Sequence, residues 1–337
     1  MGAQTWMSRL TAQIQSCRCT APRQALAQFC RAPVCTFALM VKVECVAELG
    51  CRVGESPLWE ARTSTLLYVD VLAGTVGRWD PNTKQSETRT FEKTVSCVVP
   101  RVAGGYMVAC GLKIAAMDWE TAPALLTYAE VDNDKPNNRF NDGKADPEGR
   151  MLAGTMALEL KPAELELGQG SLYSLDVSGT VRRLLSPVDV SNGMGWSLDG
   201  RKLYYVDSLK YRVDAFDYDL TTGNIDNRQT VYQCEKEDAI PDGLCMDAGG
   251  KIWLACYNGG RVICIDPNSG QRLQVVKLPV DKTTSCCFGG LQLTDLYVTT
   301  AHEGLDEAGL LQQPLSGGLF RVTDLGVKGL PSFEFAG

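Results

Sequence analysis

The runs Leu66-Leu67-Tyr68-Val69-Asp70 and Leu203-Tyr204-Tyr205-Val206-Asp207 are near-copies of one another, 137 residues apart. Leucine, tyrosine and valine in a short row, stopped by an acidic residue, have the composition of a buried strand. Four further runs of this character begin at Tyr106, Met151, Ile252 and Leu296. In chain order the six starts are separated by 40, 45, 52, 49 and 44 residues. Most are soon followed by a second strand-like run (76–80, 115–119, 213–217 and 262–266). Turns rich in glycine and asparagine punctuate them, as at Ala248-Gly249-Gly250 and Pro267-Asn268-Ser269-Gly270. Six repeats of roughly 40–50 residues with about four short strands each predict an all-β fold, a six-bladed β-propeller. A helical solenoid would need paired amphipathic segments of 3.6 period, which are absent, and a β-sandwich has no six-fold repeat. The run 41–49 has strand character and precedes the first repeat, so it is expected to supply the outer strand of the last blade and close the ring. Two interruptions, 158–170 in the third repeat and 301–317 in the sixth, read as loops over one face.

Composition narrows the chemistry. The 337 residues carry 33 Lys and Arg against 40 Asp and Glu, a net charge of −7. An acidic surface repels phosphate backbones and anionic headgroups, so neither nucleic acid nor membrane is an expected partner. No apolar run approaches the ~18 residues that a span requires. A single histidine, His302, removes multi-histidine zinc sites and leaves little for most histidine-dependent relays to build with. The 14 cysteines have no zinc-like spacing and no N-x-Ser/Thr sequon accompanies them, so they are read as reduced, buried small hydrophobes.

Residues 1–40 stand apart. They contain Arg9, Arg18, Arg23 and Arg31, four of the cysteines and no acid, which leaves 29 basic against 40 acidic residues, a net −11, for the body at 41–337. This segment is expected to be a disordered extension ahead of an internal start at Met40, with the protein cytoplasmic and open also to the nucleus. The alternative is a mitochondrial transit peptide.

Superposing the repeats ten or eleven residues before each strand start aligns Glu55, Ser96, Asn141, Asn192, Asp242 and Cys286. In a propeller these positions open the innermost strand of each blade, at the mouth of the central channel. Four of the six bear carboxylate or amide oxygens, a set that suits a hard divalent cation such as Ca²⁺, Mg²⁺ or Mn²⁺. Taken singly, Asn192-Gly193 and Asp242-Gly243 would read as turn formers. Their recurrence at one point of the repeat favours a ligand ring. With about three protein oxygens on the ion, positions remain open for water and substrate.

These residues also carry a resemblance. Gly54-Glu55-Ser56-Pro57, Asn137-Asn138-Arg139-Phe140-Asn141-Asp142-Gly143-Lys144, Ser191-Asn192-Gly193, Ile240-Pro241-Asp242-Gly243 and Ala255-Cys256-Tyr257-Asn258-Gly259-Gly260 resemble the SMP30/gluconolactonase/LRE-like family over essentially all of 41–337. The resemblance implies a six-bladed propeller holding one divalent cation (Ca²⁺, Mg²⁺, Mn²⁺ or Zn²⁺) on Glu55, Asn192 and Asp242. It implies substrate binding by Arg139 and Asn141, with Glu159 as a further contact. The implied activity is hydrolysis of sugar lactones, a reaction whose chemistry Asp242 can serve as general base at the metal; the chain is expected to act as a monomer. A Ca²⁺-binding regulator without catalysis is the alternative.

Overall fold

Each repeat folds as one four-stranded antiparallel sheet, and the six sheets stand around a ring, a six-bladed β-propeller, in the computed structural model, which describes residues 40–159 and 164–337. After β1 (Lys42–Ala47), the first blade is β2 (Gly54–Glu60), β3 (Thr65–Asp70), β4 (Thr75–Trp79) and β5 (Ser86–Thr90). The second is β6 (Val95–Pro100), β7 (Tyr106–Cys110), β8 (Lys113–Met117) and β9 (Leu125–Glu130). The third is β10 (Asn138–Ala145), β11 (Met151–Ala157), β12 (Gly170–Leu175) and β13 (Val181–Val188). The fourth is β14 (Ser191–Trp196), β15 (Lys202–Asp207), β16 (Arg212–Tyr218) and β17 (Ile225–Gln233). The fifth is β18 (Ile240–Met246), β19 (Ile252–Tyr257), β20 (Arg261–Asp266) and β21 (Gln271–Lys277). The sixth joins β22 (Thr283–Gly289), β23 (Asp295–Thr300) and β24 (Leu319–Thr323) to β1.

The runs that recur in the sequence are therefore the second strands, packed between neighbours within the blade. The first strands are buried almost throughout, with Arg139, Asn141 and Lys144 of β10 half-buried, whereas the fourth strands β5, β17 and β21 are mostly exposed and polar. Closure follows the expected route. β1 pairs antiparallel with β24, from Lys42 opposite Thr323 to Ala47 opposite Leu319, and so locks the two ends of the ring together. An open ring would leave an unpaired edge there.

The core is divided rather than single. Six apolar clusters lie one to each seam between adjacent blades; Phe140, Met151 and Tyr173 of blade three, for example, meet Cys97, Met107 and Ile114 of blade two. Fully burying an aromatic or aliphatic side chain is worth roughly 1.5–3 kcal/mol, so each seam is a substantial adhesive. The tail after β24 runs from blade to blade along the end of the ring opposite the strand entrances. Ala248 N donates to Lys328 O, Phe335 N to Pro100 O and Ala336 N to Gly149 O, each within 3.0 Å, and Phe335 is fully buried in the blade two–three cluster.

Both interrupting loops leave from strand ends on the entrance side, where Ala157 pairs with Asn138 and Thr300 with Thr283. The loop of blade six is not wholly irregular, since it contains α1 (Glu307–Gln312), whose first turn is capped by Asp306 accepting from Gly309 N at 2.8 Å. A helix this short, with Leu310 and Leu311 exposed, leaves no periodic signal in the sequence. The acid-free leader lies outside the described residues up to position 39, and so do residues 160–163 of the blade-three loop. All ten cysteines among the described residues are free thiols, eight of them buried, as composition predicts.

Candidate active site at the mouth of the channel

Every first strand begins with a β-bulge. The register slips between Glu55 and Leu58, Val95 and Cys97, Phe140 and Asp142, Ser191 and Met194, Pro241 and Leu244, and Thr283 and Ser285. A bulge bends its strand and re-aims a side chain, and here it does so at the same point in all six blades. Glu55, Ser96, Asn141, Asn192 and Asp242 occupy this point, as their spacing predicts.

The sixth position differs from expectation. Leu296 pairs with Phe288, eight residues back, whereas the starts of the other five second strands pair six or seven residues back. The longer hairpin shifts the equivalent residue from Cys286 to Thr284. Cys286 instead lies in the blade five–six seam, its Sγ 3.6 Å from that of Cys245. A fixed offset in sequence cannot register a change in turn length.

The Asn-Gly and Asp-Gly pairs are not turns. Both lie within strands, β14 and β18, and their glycines permit the blades to approach. A Cβ on Gly193 would sit 2.5 Å from the Asp242 carbonyl oxygen and 2.7 Å from Leu244 N. The glycine thus brings the strand carrying Asn192 against the strand carrying Asp242.

The resulting cluster is dense in buried negative charge. Glu55, Asn192, Asp242 and Asp142 are 5, 5, 8 and 4% exposed. Burial pushes the Glu55 carboxyl well above its ordinary range, and Asp242 and Asp142 raise it further. Burial does the same to Asp242, with Asp142 adding to the rise and the Asn192 amide opposing it. Asp142 is pushed up to about 6 by burial, against the opposing charge of Lys144 and a 2.7 Å hydrogen bond from Gly143 N. Asn192 donates through Nδ2 to Ser208 Oγ at 2.9 Å, while its buried Oδ1 has no hydrogen-bond partner.

An orphaned buried carbonyl oxygen costs about 1–3 kcal/mol, and gathering carboxylates out of water costs more. A hard divalent cation relieves both, so Glu55, Asn192 and Asp242 fit such an ion. Among the described residues no three His, Cys, Asp or Glu side chains gather at metal-binding spacing, so the donor set depends on the amide.

Beside the cluster stands Arg139. Its Nη1 donates to Asn141 Oδ1 at 2.7 Å and to Phe140 O at 2.9 Å, and Asn141 Nδ2 in turn donates to Ser191 O at 2.9 Å. Burial lowers the guanidinium to about 10, and the charges of Glu159, Glu55 and Asp242 act against that fall. The exposed Glu159, on the blade-three loop, is thus within electrostatic reach of Arg139. Sequence reasoning brought these residues together but assigned nothing to Asp142 or Lys144, although both lie in the 137–144 run. Alternation along a strand would have placed them; no motif signals their chemistry.

Known proteins share this sequence and this fold. Regucalcin of Macaca fascicularis is 57% identical over 297 residues, which cover 88% of this chain and 99% of that protein. A luciferin-regenerating enzyme of known structure superposes with a TM-score of 0.82 at 36% identity, covering 88% of this chain and all of that one. A calcium-binding protein, regucalcin from Agrobacterium tumefaciens, gives a TM-score of 0.79 at 26% identity over 86% of this chain and 96% of that one. The SMP-30/Gluconolactonase/LRE-like region matches residues 53–302, from the entrance of the first blade to the end of the last blade's second strand. On that span, which contains every residue of the channel mouth described above, the chain belongs to the SMP-30/gluconolactonase/LRE-like family.

Proposed function

We propose that the channel mouth is the active site of a divalent-cation-dependent hydrolase that opens sugar lactones. The observation that carries this reading is the Asn192 Oδ1, buried without a partner beside two desolvated carboxylates, Glu55 and Asp242. That arrangement is costly in a protein whose task is only to fold, and it is the donor set of a hard-cation site. Glu55, Asn192 and Asp242 would hold the ion. The chemistry a divalent cation supplies in such a site is polarisation of an ester carbonyl and stabilisation of the developing oxyanion.

The chain's own groups supply the rest. Asp242, made more basic by burial, takes a proton from the attacking water. Arg139 is held by Asn141 and by the Phe140 carbonyl, and among the described residues it makes no further hydrogen bond, so its remaining donors face the hydroxyls of a polyol. Asn141 fixes that guanidinium, and Glu159 accepts from the outer hydroxyls. Polar partners of this number suit a sugar better than an apolar ester.

The alternative, a Ca²⁺-binding regulatory protein without catalysis, draws support from the Agrobacterium relative described as calcium-binding. Hydrolysis of gluconolactone and gulonolactone by the metal-stripped chain, with Ca²⁺, Mg²⁺, Mn²⁺ and Zn²⁺ restored in turn, separates the two. Activity that returns with the ion supports the lactonase. Ca²⁺ binding with no turnover under any ion overturns it in favour of the regulator.

A further inference from the structure

The first strand of each propeller blade turns one edge to the channel, and that edge has carbonyls with no strand to pair with. Two of them are claimed by one side chain. Lys144 leaves β10 in blade three and donates through Nζ to Met194 O of β14 at 3.1 Å and to Leu244 O of β18 at 2.8 Å. Met194 is two residues beyond Asn192, and Leu244 is two beyond Asp242. A single ammonium therefore bridges three blades directly beneath the two strands that bring the amide and the carboxylate to the mouth. Its own strand carries Asp142 two residues earlier.

We propose that Lys144 is a resident cation of the channel that opposes the divalent ion, so that the site binds its metal weakly and exchangeably. This inference rests on the cation site proposed above. The reasoning is electrostatic. Lys144 lies close enough to the acid cluster to act on both Asp142 and Glu55. Its two carbonyl partners fix it there, so it cannot swing away when a second cation arrives. Like charges held at short range in a partly desolvated channel repel with little screening. The same ammonium fills a second need in the metal-free protein, where it offsets part of the carboxylate charge that no metal then neutralises. One residue thus makes the empty site tolerable and the filled site weaker than its carboxylates alone would dictate. A merely structural strut would act in the other sense, since losing it would loosen the ring and weaken the ion.

The test is Ca²⁺ titration calorimetry on the whole chain, with urea unfolding of the metal-free protein alongside. Lys144→Met keeps most of the length of the side chain and removes the charge and the donors. Binding at least about tenfold tighter than in the parent, or about 1.4 kcal/mol, together with a less stable metal-free state, is the expected result. Lys144→Gln, which keeps an amide donor for one carbonyl, covers the case in which Lys144→Met does not fold and should tighten binding likewise. Unchanged or weaker Ca²⁺ binding in a folded variant overturns the resident-cation role and leaves the cation site standing. A parent chain that binds neither Ca²⁺ nor Mn²⁺ overturns both.

Discussion

Blades two and six place different chemistry at the very point where blades one, four and five carry Glu55, Asn192 and Asp242. In blade two the residue is Ser96, whose hydroxyl donates to Phe140 O of blade three at 2.5 Å. In blade six it is Thr284, whose hydroxyl donates to Gly54 O of blade one at 2.5 Å. Both fasten a seam by satisfying a carbonyl of the next blade's first strand. Asn141 of blade three does both things, donating to Ser191 O of blade four and accepting from Arg139. Blades four and five leave the fastening to close backbone contact at Gly193. The fold thus offers six equivalent positions at the mouth. Where the side chain is spent on a neighbouring carbonyl the position is structural, and where its oxygen is left over the position is open to a ligand.

The strongest test of that division is Asp242→Ala. Removing the proposed cation ligand and base together should lower lactone turnover about 10³-fold and abolish the rise in melting temperature on adding Ca²⁺. Turnover near that of the parent would erase the distinction between ligand-bearing and seam-bearing positions.

Next in size is a pH effect on the metal-free chain. Asp142 has its folded pKa pushed up to about 6, and Glu55 and Asp242 are raised in the same direction. Between the unfolded pKa near 4 and the folded value, the native state holds protons that the unfolded chain has released. Stability therefore falls as pH rises through this window, by about 3 kcal/mol for Asp142 alone. Urea unfolding between pH 4 and 7 checks the sign, and a saturating divalent cation should flatten the decline, because it would displace the protons of Glu55 and Asp242 and its charge would favour the ionised form of the neighbouring Asp142. A metal-free chain that gains stability over this range would mean that the acids are already compensated.

Asn192→Ala removes one neutral donor and should weaken Ca²⁺ about 10–100-fold, since even outer partners of metal ligands carry effects of that size. Smallest is Thr284→Val, which keeps the shape and orphans the Gly54 carbonyl. It should cost about 1–2 kcal/mol of stability while changing Ca²⁺ affinity by less than about threefold, read by calorimetry. A large loss of affinity in Thr284→Val would make the seam fastener part of the cation site and sharpen the comparison into a gradient.

Much of this architecture is legible in the amino-acid sequence. The period of the strand runs around Leu66 and Leu203 specifies the blade count, and the strand at 41–49 announces the closure between β1 and β24. Burial and alternation are local properties of a strand, so they survive as pattern in the chain. Five of the six mouth positions are also legible, because hairpins of nearly constant length keep the offset constant. Thr284 is not, because register choices that differ by one or two turn residues look alike until the rungs are paired.

Other features belong to the ring alone. The lone pair of Asn192 is left over only because Ser208 Oγ takes the other end of its amide. Lys144 meets Leu244, 100 residues away, and the tail lays Phe335 against blade two. Sequence by itself determined the number of blades, their closure and which residue types reach the mouth, since each of these follows from short-range periodicity. Tertiary structure decided which oxygens remain unspent and which cation stands beneath them, since hydrogen-bond satisfaction across a seam depends on partners that the chain does not hold nearby.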